Sequence, residues 1–318
     1  MLPTGCNSPL VSILIPLYNA QNYIEEAIQS CFRQTYKNIE VVIVDDHSTD
    51  ASLLIAKQYE SARLKVFSNP RKGANAARNF AFEHAQGEYI KFMDADDYCS
   101  DTMVENQLQR LLSDGANDTL IFSPVKMLYP DGYILEPART IDNDFEPGME
   151  LAVAIWRGGG FNCPHCHLMH KDLVKKAGGW DESIIKNQDG EFFIRVASCA
   201  SKALSVSEDF GVWRQTGSGV SSKVTPEALT SVVKTYRIIS ALILKYKNSE
   251  ENRVMCAKRI GGFVYEFYPF CKPVFPEVFQ LLHDLKQPLL LPERRMLKYL
   301  RCFLGWQLAL KIIHRFSL

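Results

Sequence analysis

The chain has no net charge. Its 36 Lys and Arg are matched by 36 Asp and Glu over 318 residues. Nothing in that balance supplies the whole-molecule field used by nucleic-acid-binding proteins, so nucleic acid is not an expected partner. A disulfide framework is also missing. The nine cysteines are an odd number scattered through apolar segments, which points to reduced thiols and a cytoplasmic location. Residues 1–7 hold no basic stretch followed by an apolar one, so no signal peptide is expected. The most apolar late stretch, Cys302 to Ile313, is too short for a membrane span and carries Gln307 and Lys311. Internal repeats and low-complexity tracts are absent. The turn after the first apolar run, Pro16-Leu17-Tyr18-Asn19-Ala20, carries no G-x-G-x-x-G, which removes a nicotinamide-dinucleotide reading.

What is present reads as an ordinary globular chain, 47% hydrophobic and 23% charged. Strand and helix signals alternate through the first third. Strands are expected at 11–16, 40–44, 64–67, 89–93 and 119–122, with helices at 22–32, 51–60, 74–85 and 102–112 between them. Asn22, with Glu25 three residues on, fits a cap for the first helix. This alternation predicts an α/β sandwich with a mainly parallel sheet. After about residue 124 the pattern changes. Pro130-Asp131-Gly132 reads as a turn, Gly158-Gly159-Gly160 as a flexible break, Asp189 to Ser198 as a helix and 217–219 as a mobile loop. From Pro226 onward the chain reads as helices punctuated by prolines.

Ligands of such sheets sit at the carboxyl ends of the strands. Three polar clusters fall there: Pro16 to Asn19, Asp45-Asp46-His47-Ser48, and Asp94-Ala95-Asp96-Asp97. They should converge in space. Carboxylates as close as those of the D-x-D triplet repel one another unless a cation neutralises them. Mg²⁺ suits one or two carboxylates completed by diphosphate oxygens and water, and such an ion offsets charge on a departing diphosphate. A solvated turn, or the N-cap of the next helix, would use the same residues. An acid at the end of an early strand, as at Asp45-Asp46, can bind a ribose hydroxyl or a base N–H. Ser48 and Asp50 fit a helix cap equally well.

The runs 11–19 (VSILIPLYN), 44–50 (VDDHSTD), 73–79 (GANAARN) and 87–97 (GEYIKFMDADD) resemble, in order and spacing, the successive signatures of family 2 glycosyltransferases with the GT-A fold. The resemblance runs from residue 11 to about 215. It implies an inverting transfer of sugar from a nucleoside-diphosphate sugar, a UDP-sugar being favoured, to a hydroxyl of a saccharide or lipid-linked acceptor. Polysaccharide or cell-surface glycan synthesis is the setting it suggests, with Mg²⁺ or Mn²⁺ as cofactor. Pro16 and Tyr18 would then pack on the nucleobase beside Asn19. Asp46 would hydrogen-bond that base with Asp45 nearby, and Arg78 would stand near the donor. Asp94 would lie near the ribose, with Ala95 also on the donor side, and Asp96 would be the principal metal ligand. His47 stands where many members carry a small residue.

The same resemblance puts the base that accepts the acceptor's proton in Asn187 to Glu191, where Gln188 replaces a common Glu. Asp189 is the expected base and Glu191 the alternative, although an acid opening a helix also serves as an N-cap. His165, Glu182, Glu191 and Trp213 are the acceptor-side candidates, with burial as a structural histidine the alternative for His165. Cys163-Pro164-His165-Cys166-His167 and His170 invite a zinc reading, but no second ligand cluster of zinc-like spacing accompanies them. The implied organisation is a GT-A domain over 1–224, with a donor half at about 9–124 and an acceptor half at about 125–224. A helical extension over 225–318 would follow.

Two other readings keep the motif and change the function. A haloacid-dehalogenase-like phosphatase also places D-x-D after a strand, but there a Thr or Val normally follows, where this chain has Asp97-Tyr98. A catalytically silent nucleotide-sugar-binding module would keep the fold alone. The last segment has a character of its own. From Lys286 on, seven Lys and Arg face one acid, Glu293, a net +6 that leaves −6 on the rest. Arg294, Lys298 and Arg301 fall on one helical face, with Leu297, Leu300, Leu304 and Leu308 as apolar neighbours, the pattern of an interfacial helix. Peripheral contact with the inner face of a membrane is the expectation this raises. A helix packed on the core with its basic side to water is the alternative.

Overall fold

Continuous apolar runs become strands buried on both faces. In the computed structural model, which describes residues 8–161, 163–217, 219 and 224–316, β1 (Val11–Leu17) and β2 (Ile39–Asp45) are buried at every position. A sheet covered by helices on both sides requires this. The polar members of these strands are satisfied internally: Ser12 Oγ donates to Glu40 Oε1 at 2.5 Å, and Gly87 N donates to Ser12 Oγ at 2.9 Å. β3 (Leu64–Ser68), β4 (Tyr89–Phe92), β6 (Thr119–Phe122), β9 (His167–His170) and β10 (Lys202–Ser205) complete a seven-stranded sheet of order β10-β6-β9-β4-β1-β2-β3. Only β9 runs antiparallel to its neighbours β4 and β6; the other pairings are parallel. A second sheet of short strands has the order β5 (Tyr98–Cys99), β11 (Gly211–Arg214), β7 (Val125–Leu128), β8 (Ile134–Leu135).

The helices of the first unit are α1 (Ile24–Arg33), α2 (Ser52–Gln58), α3 (Ala74–His84), α4 (Met103–Asp114), α5 (Met149–Ala154), α6 (Lys171–Ala177) and α7 (Gln188–Cys199). The predicted α/β layering is therefore present. One boundary differs: α1 starts at Ile24, not at Asn22. Tyr23 N and Ile24 N both donate to Ala20 O at 2.9 Å, closing a turn first, and no side chain caps the helix. The Gly158-Gly159-Gly160 segment ends α5 in a wide turn, with Gly158 at φ 103°. Residues 1–7 and Ser218, on which the leader and loop expectations partly rest, lie outside the described residues.

The chain divides into two compact units: 1–183 with 188–217, and 184–187 with 218–318. The second unit holds α8 (Pro226–Tyr246), α9 (Glu250–Phe267), α10 (Phe275–Asp284) and α11 (Arg295–Phe316). Thr225 caps α8 and Ser249 caps α9 through their hydroxyls. Ser231 Oγ accepts from Ile185 N and Lys186 N at 2.9 and 3.2 Å, so α8 fixes the short 184–187 segment of its own unit. Gly305, at φ 72° and ψ 163°, breaks α11 into two pieces. Among the described residues no helix is long and apolar enough to cross a membrane.

Candidate active site

Because β4, β1 and β2 are adjacent and parallel, their carboxyl ends lie along one edge of the sheet. The three polar clusters meet there. β1 and β4 keep pairing one residue further, Met93 N donating to Leu14 O at 3.0 Å, before Asp97 N closes a turn on Asp94 O at 3.2 Å. This turn gives the four residues 94–97 different surroundings. Ala95 is buried. Asp94 pairs with Arg78 Nη2 at 2.7 Å. Asp97 is buried and committed to structure: it accepts from Arg214 N at 2.8 Å, and His165 Nδ1 stands 3.3 Å from its second oxygen. Asp96 alone has no side-chain hydrogen bond or ion pair among the described residues. Burial first, then the charges of Asp97 and Asp94, raise its pKa from 3.8 to about 7.

α3 supplies the second wall. Asn75, Arg78 and Asn79 occupy positions i, i+3 and i+4, so they share one face. Arg78 Nη1 donates to Asn75 Oδ1 at 2.9 Å and to Gln188 Oε1 at 3.0 Å, while its guanidinium lies 4.4 Å from the Trp180 ring centre. Asn79 brackets the Trp180 backbone, accepting from its N–H at 2.8 Å and donating to its carbonyl at 2.9 Å. Asn75 Nδ2 reaches Asp181 O at 2.8 Å. Trp180 in turn stacks on Phe192 at 4.0 Å, and Phe92 meets both rings edge-on at 5.2 and 5.5 Å. Phe192 and Phe193, three and four residues after Asp189, are buried and fix the roll of α7.

Asp189 is consequently turned toward the D-x-D carboxylates. It is the second residue of α7 and has no side-chain partner among the described residues. Burial and the Asp94 charge raise its pKa, opposed by Arg78.

The loops after β1 and β2 are stitched together by side chains. Asn19, at φ 47°, accepts from Thr49 N at 2.8 Å and donates its own N–H to Ser48 Oγ at 3.1 Å. Ala20 N donates to Ser52 Oγ at 2.7 Å, and Gln21 N to Asp50 Oδ2 at 3.1 Å. Pro16 is buried within β1 opposite Val44. Tyr18 stands just beyond the strand, 58% exposed. Asp46 is oriented by Gly73 N, 2.9 Å from both of its oxygens, and by Asn69 Nδ2 at 2.8 Å. Asp45 Oδ2 accepts from Ser48 N at 3.3 Å, whereas its buried Oδ1 has no partner. His47 takes φ 66°, a backbone conformation costly for a side chain of its size, with Nδ1 3.6 Å from Asp46 Oδ1.

The Glycosyl transferase family 2 model matches residues 12–178, more than half of the chain. The chain belongs to glycosyl transferase family 2. Its relatives include an uncharacterized glycosyltransferase of Rickettsia typhi, 30% identical over 198 residues, covering 60% of each chain. Another is the Escherichia coli UDP-Glc:alpha-D-GlcNAc-diphosphoundecaprenol beta-1,3-glucosyltransferase WfaP, 44% identical over 100 residues, 31% of this chain and 40% of that one. The chain thus spans about half the length of the curated relatives it matches. Among solved structures, S. aureus TarS 1-349 in complex with UDP superposes with a TM-score of 0.70 at 19% identity, over 96% of this chain and 91% of that one. The complex with UDP-GlcNAc gives 0.68 at 21%, over 96% and 92%. At that identity the likeness is one of fold, and it agrees with the mainly parallel α/β sandwich. The phosphatase reading falls with family membership.

The four acceptor-side candidates of this family 2 chain each have partners within the fold. Glu191 cannot serve as a base: 2% exposed, it forms a two-pronged ion pair with Arg195 at 2.6 and 2.8 Å. His165 does not line an acceptor surface. It is fully buried beneath Asp97, its ring so close to Gly211 that a β-carbon there would overlap it. Glu182 binds Arg71 at 3.2 Å and Asn79 at 3.0 Å, and Trp213 packs edge-on to Phe161 at 5.5 Å.

The remaining Cys and His residues have separate structural surroundings. His167 stacks on Phe193 at 3.8 Å and is pushed down to a pKa of about 3 by burial. His170 caps α6, accepting from Asp172 N at 3.2 Å. Among the described residues no His, Cys, Asp and Glu group of three has metal-holding geometry.

Two buried charges had no place in the sequence reading. Lys91, inside β4, donates to Gln107 Oε1 at 2.8 Å, and burial lowers its pKa. Its visible signal was a lysine inside an apolar run. Asp209 accepts from Ser100 Oγ, Thr102 Oγ1 and Asn106 Nδ2 at 2.8, 2.6 and 2.8 Å, and nothing in the pattern around it marks that role.

Proposed function

We propose that this chain transfers a sugar from a nucleoside-diphosphate sugar, a UDP-sugar in the first instance, to a hydroxyl acceptor with inversion. The observation that carries the reading is the bridge from Asp94 through Arg78 to Gln188. It sets a partnerless, half-buried carboxylate, Asp189, beside the D-x-D turn. The UDP and UDP-GlcNAc complexes of TarS support the donor class, and the lipid-diphosphate acceptor named for WfaP supports a saccharide or lipid-linked acceptor.

The Tyr18 ring and the Pro16 edge are assigned to the nucleobase. The Asp45–Asp46 pair takes its N–H groups, Asp45 Oδ1 being the acceptor without a partner. Asp94, held by Arg78, faces the ribose. The carboxylates fit one divalent ion held chiefly by the diphosphate: Asp94 and Asp97 are committed to Arg78, His165 and Arg214 N, while Asp96 has no ion pair of its own among the described residues and is offset only weakly by Arg214. Mg²⁺ or Mn²⁺ bound there would neutralise charge on the departing diphosphate.

Asp189 accepts the proton of the acceptor hydroxyl as its oxygen bonds to the anomeric carbon. The bond from that carbon to the diphosphate breaks, and the nucleoside diphosphate leaves with the electron pair. A raised carboxylate pKa makes Asp189 a better base near neutrality. The expected domain plan, a catalytic domain over 1–224 and a helical extension over 225–318, is retained as part of this proposal.

Calorimetry of UDP with and without Mn²⁺, followed by UDP release from a panel of UDP-sugars with saccharide and lipid-diphosphate acceptors, tests the reading. Metal-dependent UDP binding and acceptor-dependent release are expected. Absence of both would sink it.

A further inference from the structure

The first piece of α11, Arg295 to Leu304, is a helix of ten residues that ends at the Gly305 break. Helices this short are marginal in water unless a partner covers one face. Within its own unit this piece buries one side chain, Leu297. The second piece differs: Ala309, Leu310 and Ile313 are buried, and His314 Nε2 lies 2.7 Å from Tyr265 O. The second piece is anchored by three buried side chains and the first by Leu297 alone.

Its uncovered face is apolar and aromatic. Met296, Tyr299 and Phe303 stand at i, i+3 and i+7, hence on one stripe. Tyr299 and Phe303 are 67% and 74% exposed, and their rings lie 5.2 Å apart. Of the leucines expected on the apolar side, Leu297 is buried, while Leu304 and Leu308 are exposed. The polar face is basic, with Arg295 and Lys298 exposed, and Glu293 is the one acid from Lys286 onward. A bilayer's headgroup region matches both properties. Exposed aromatic rings settle at the boundary between headgroups and acyl chains, and cations gain from anionic lipid. The helix is too short to span, so it would lie in the plane of the interface.

We propose that Arg295 to Leu304 docks this protein on an anionic lipid surface, with Met296, Tyr299 and Phe303 entering the acyl boundary and Arg295 and Lys298 meeting the headgroups. This inference is independent of the donor chemistry.

Flotation of the full chain with phosphatidylcholine vesicles, with and without phosphatidylglycerol, tests it. Wild type should float with the anionic vesicles and lose that binding as salt rises. Arg295→Glu with Lys298→Glu should reduce partition by roughly fivefold or more per residue. Tyr299→Ser with Phe303→Ser should abolish binding to either vesicle. All four side chains are exposed, so UDP affinity by calorimetry should not change, which separates failure here from failure of the donor assignment. Equal flotation of the Ser variant and wild type overturns the proposal, as does no flotation of wild type. So does a wild-type dimer that the Ser substitutions dissociate, because a second copy would then cover the stripe.

Discussion

Arg78 and Asp94 form an ion pair of 2.7 Å in which the arginine is almost wholly buried, and the same guanidinium reaches Gln188, the residue before Asp189. One planar cation therefore sets the distance between the donor carboxylates and the proposed base. Lysine cannot do this, because a single ammonium lacks the forked donors that reach Asp94, Asn75 and Gln188 together. Arg78→Lys is expected to lower stability by about 1–3 kcal/mol through buried acceptors left unpaired. It should also reduce kcat more than it raises the KM for donor. Urea denaturation and steady-state kinetics check both; a variant with native midpoint and native kcat would remove Arg78 from this role.

Asp96 offers a test that needs no substrate. Its folded-state pKa is raised from 3.8 to about 7, so the native state binds more protons than the unfolded chain between those values. Stability contributed by Asp96 is therefore present at low pH and lost as pH rises toward 7. Asp96→Asn should match wild type below about pH 4, the unfolded-chain value, and exceed it at pH 8 by about 1–3 kcal/mol in the absence of divalent metal. The same substitution should remove the Mn²⁺ dependence of UDP binding. A variant no more stable than wild type at pH 8 would place Asp96 in an unstrained environment.

The strand ends were legible because burial on both faces forces a continuous apolar run, and the run stops where the ligand edge begins. Val11–Leu17, Ile39–Asp45 and Tyr89–Phe92 show this. Side-chain partnerships across the fold were not legible. Glu191 and Asp189 sit two residues apart in one acidic segment, yet Arg195, one helical turn after Glu191, captures Glu191 and leaves Asp189 free. An i,i+4 pair was readable in principle; which acid faces the sheet edge depends on where Phe192 and Phe193 insert. His165 looked like a surface candidate because nothing in its own segment reveals that Gly211 and Asp97 enclose it.

Asp209 carries a prediction about the scaffold beneath the D-x-D turn. Its carboxylate gathers Ser100, Thr102 and Asn106, the chain that leads from β5 into α4. An amide keeps one acceptor oxygen and turns an NH₂ toward donors. Asp209→Asn should thus cost about 2 kcal/mol, the worth of a hydrogen bond to a charged acceptor. UDP affinity at a temperature where the variant is folded should be kept. Native thermal stability would show that these three donors find water instead.

Asp189 and Glu191 separate catalysis from structure. If Asp189 takes the acceptor proton, Asp189→Asn should lower kcat by about 10²–10⁴-fold, with UDP affinity and metal dependence intact. The acidic limb of the pH–rate profile should vanish, because an amide does not titrate. Stability should hold or rise above neutral pH, since burial and Asp94 penalise the native carboxylate. Glu191→Gln should behave in the opposite way. It breaks a buried pair with Arg195 and should cost about 2–4 kcal/mol, while the folded fraction turns over with an unaltered pH profile. The product of wild type should carry the anomeric configuration opposite to the donor. Near-normal turnover by Asp189→Asn, or retention of configuration, would overturn the assignment of a single carboxylate base.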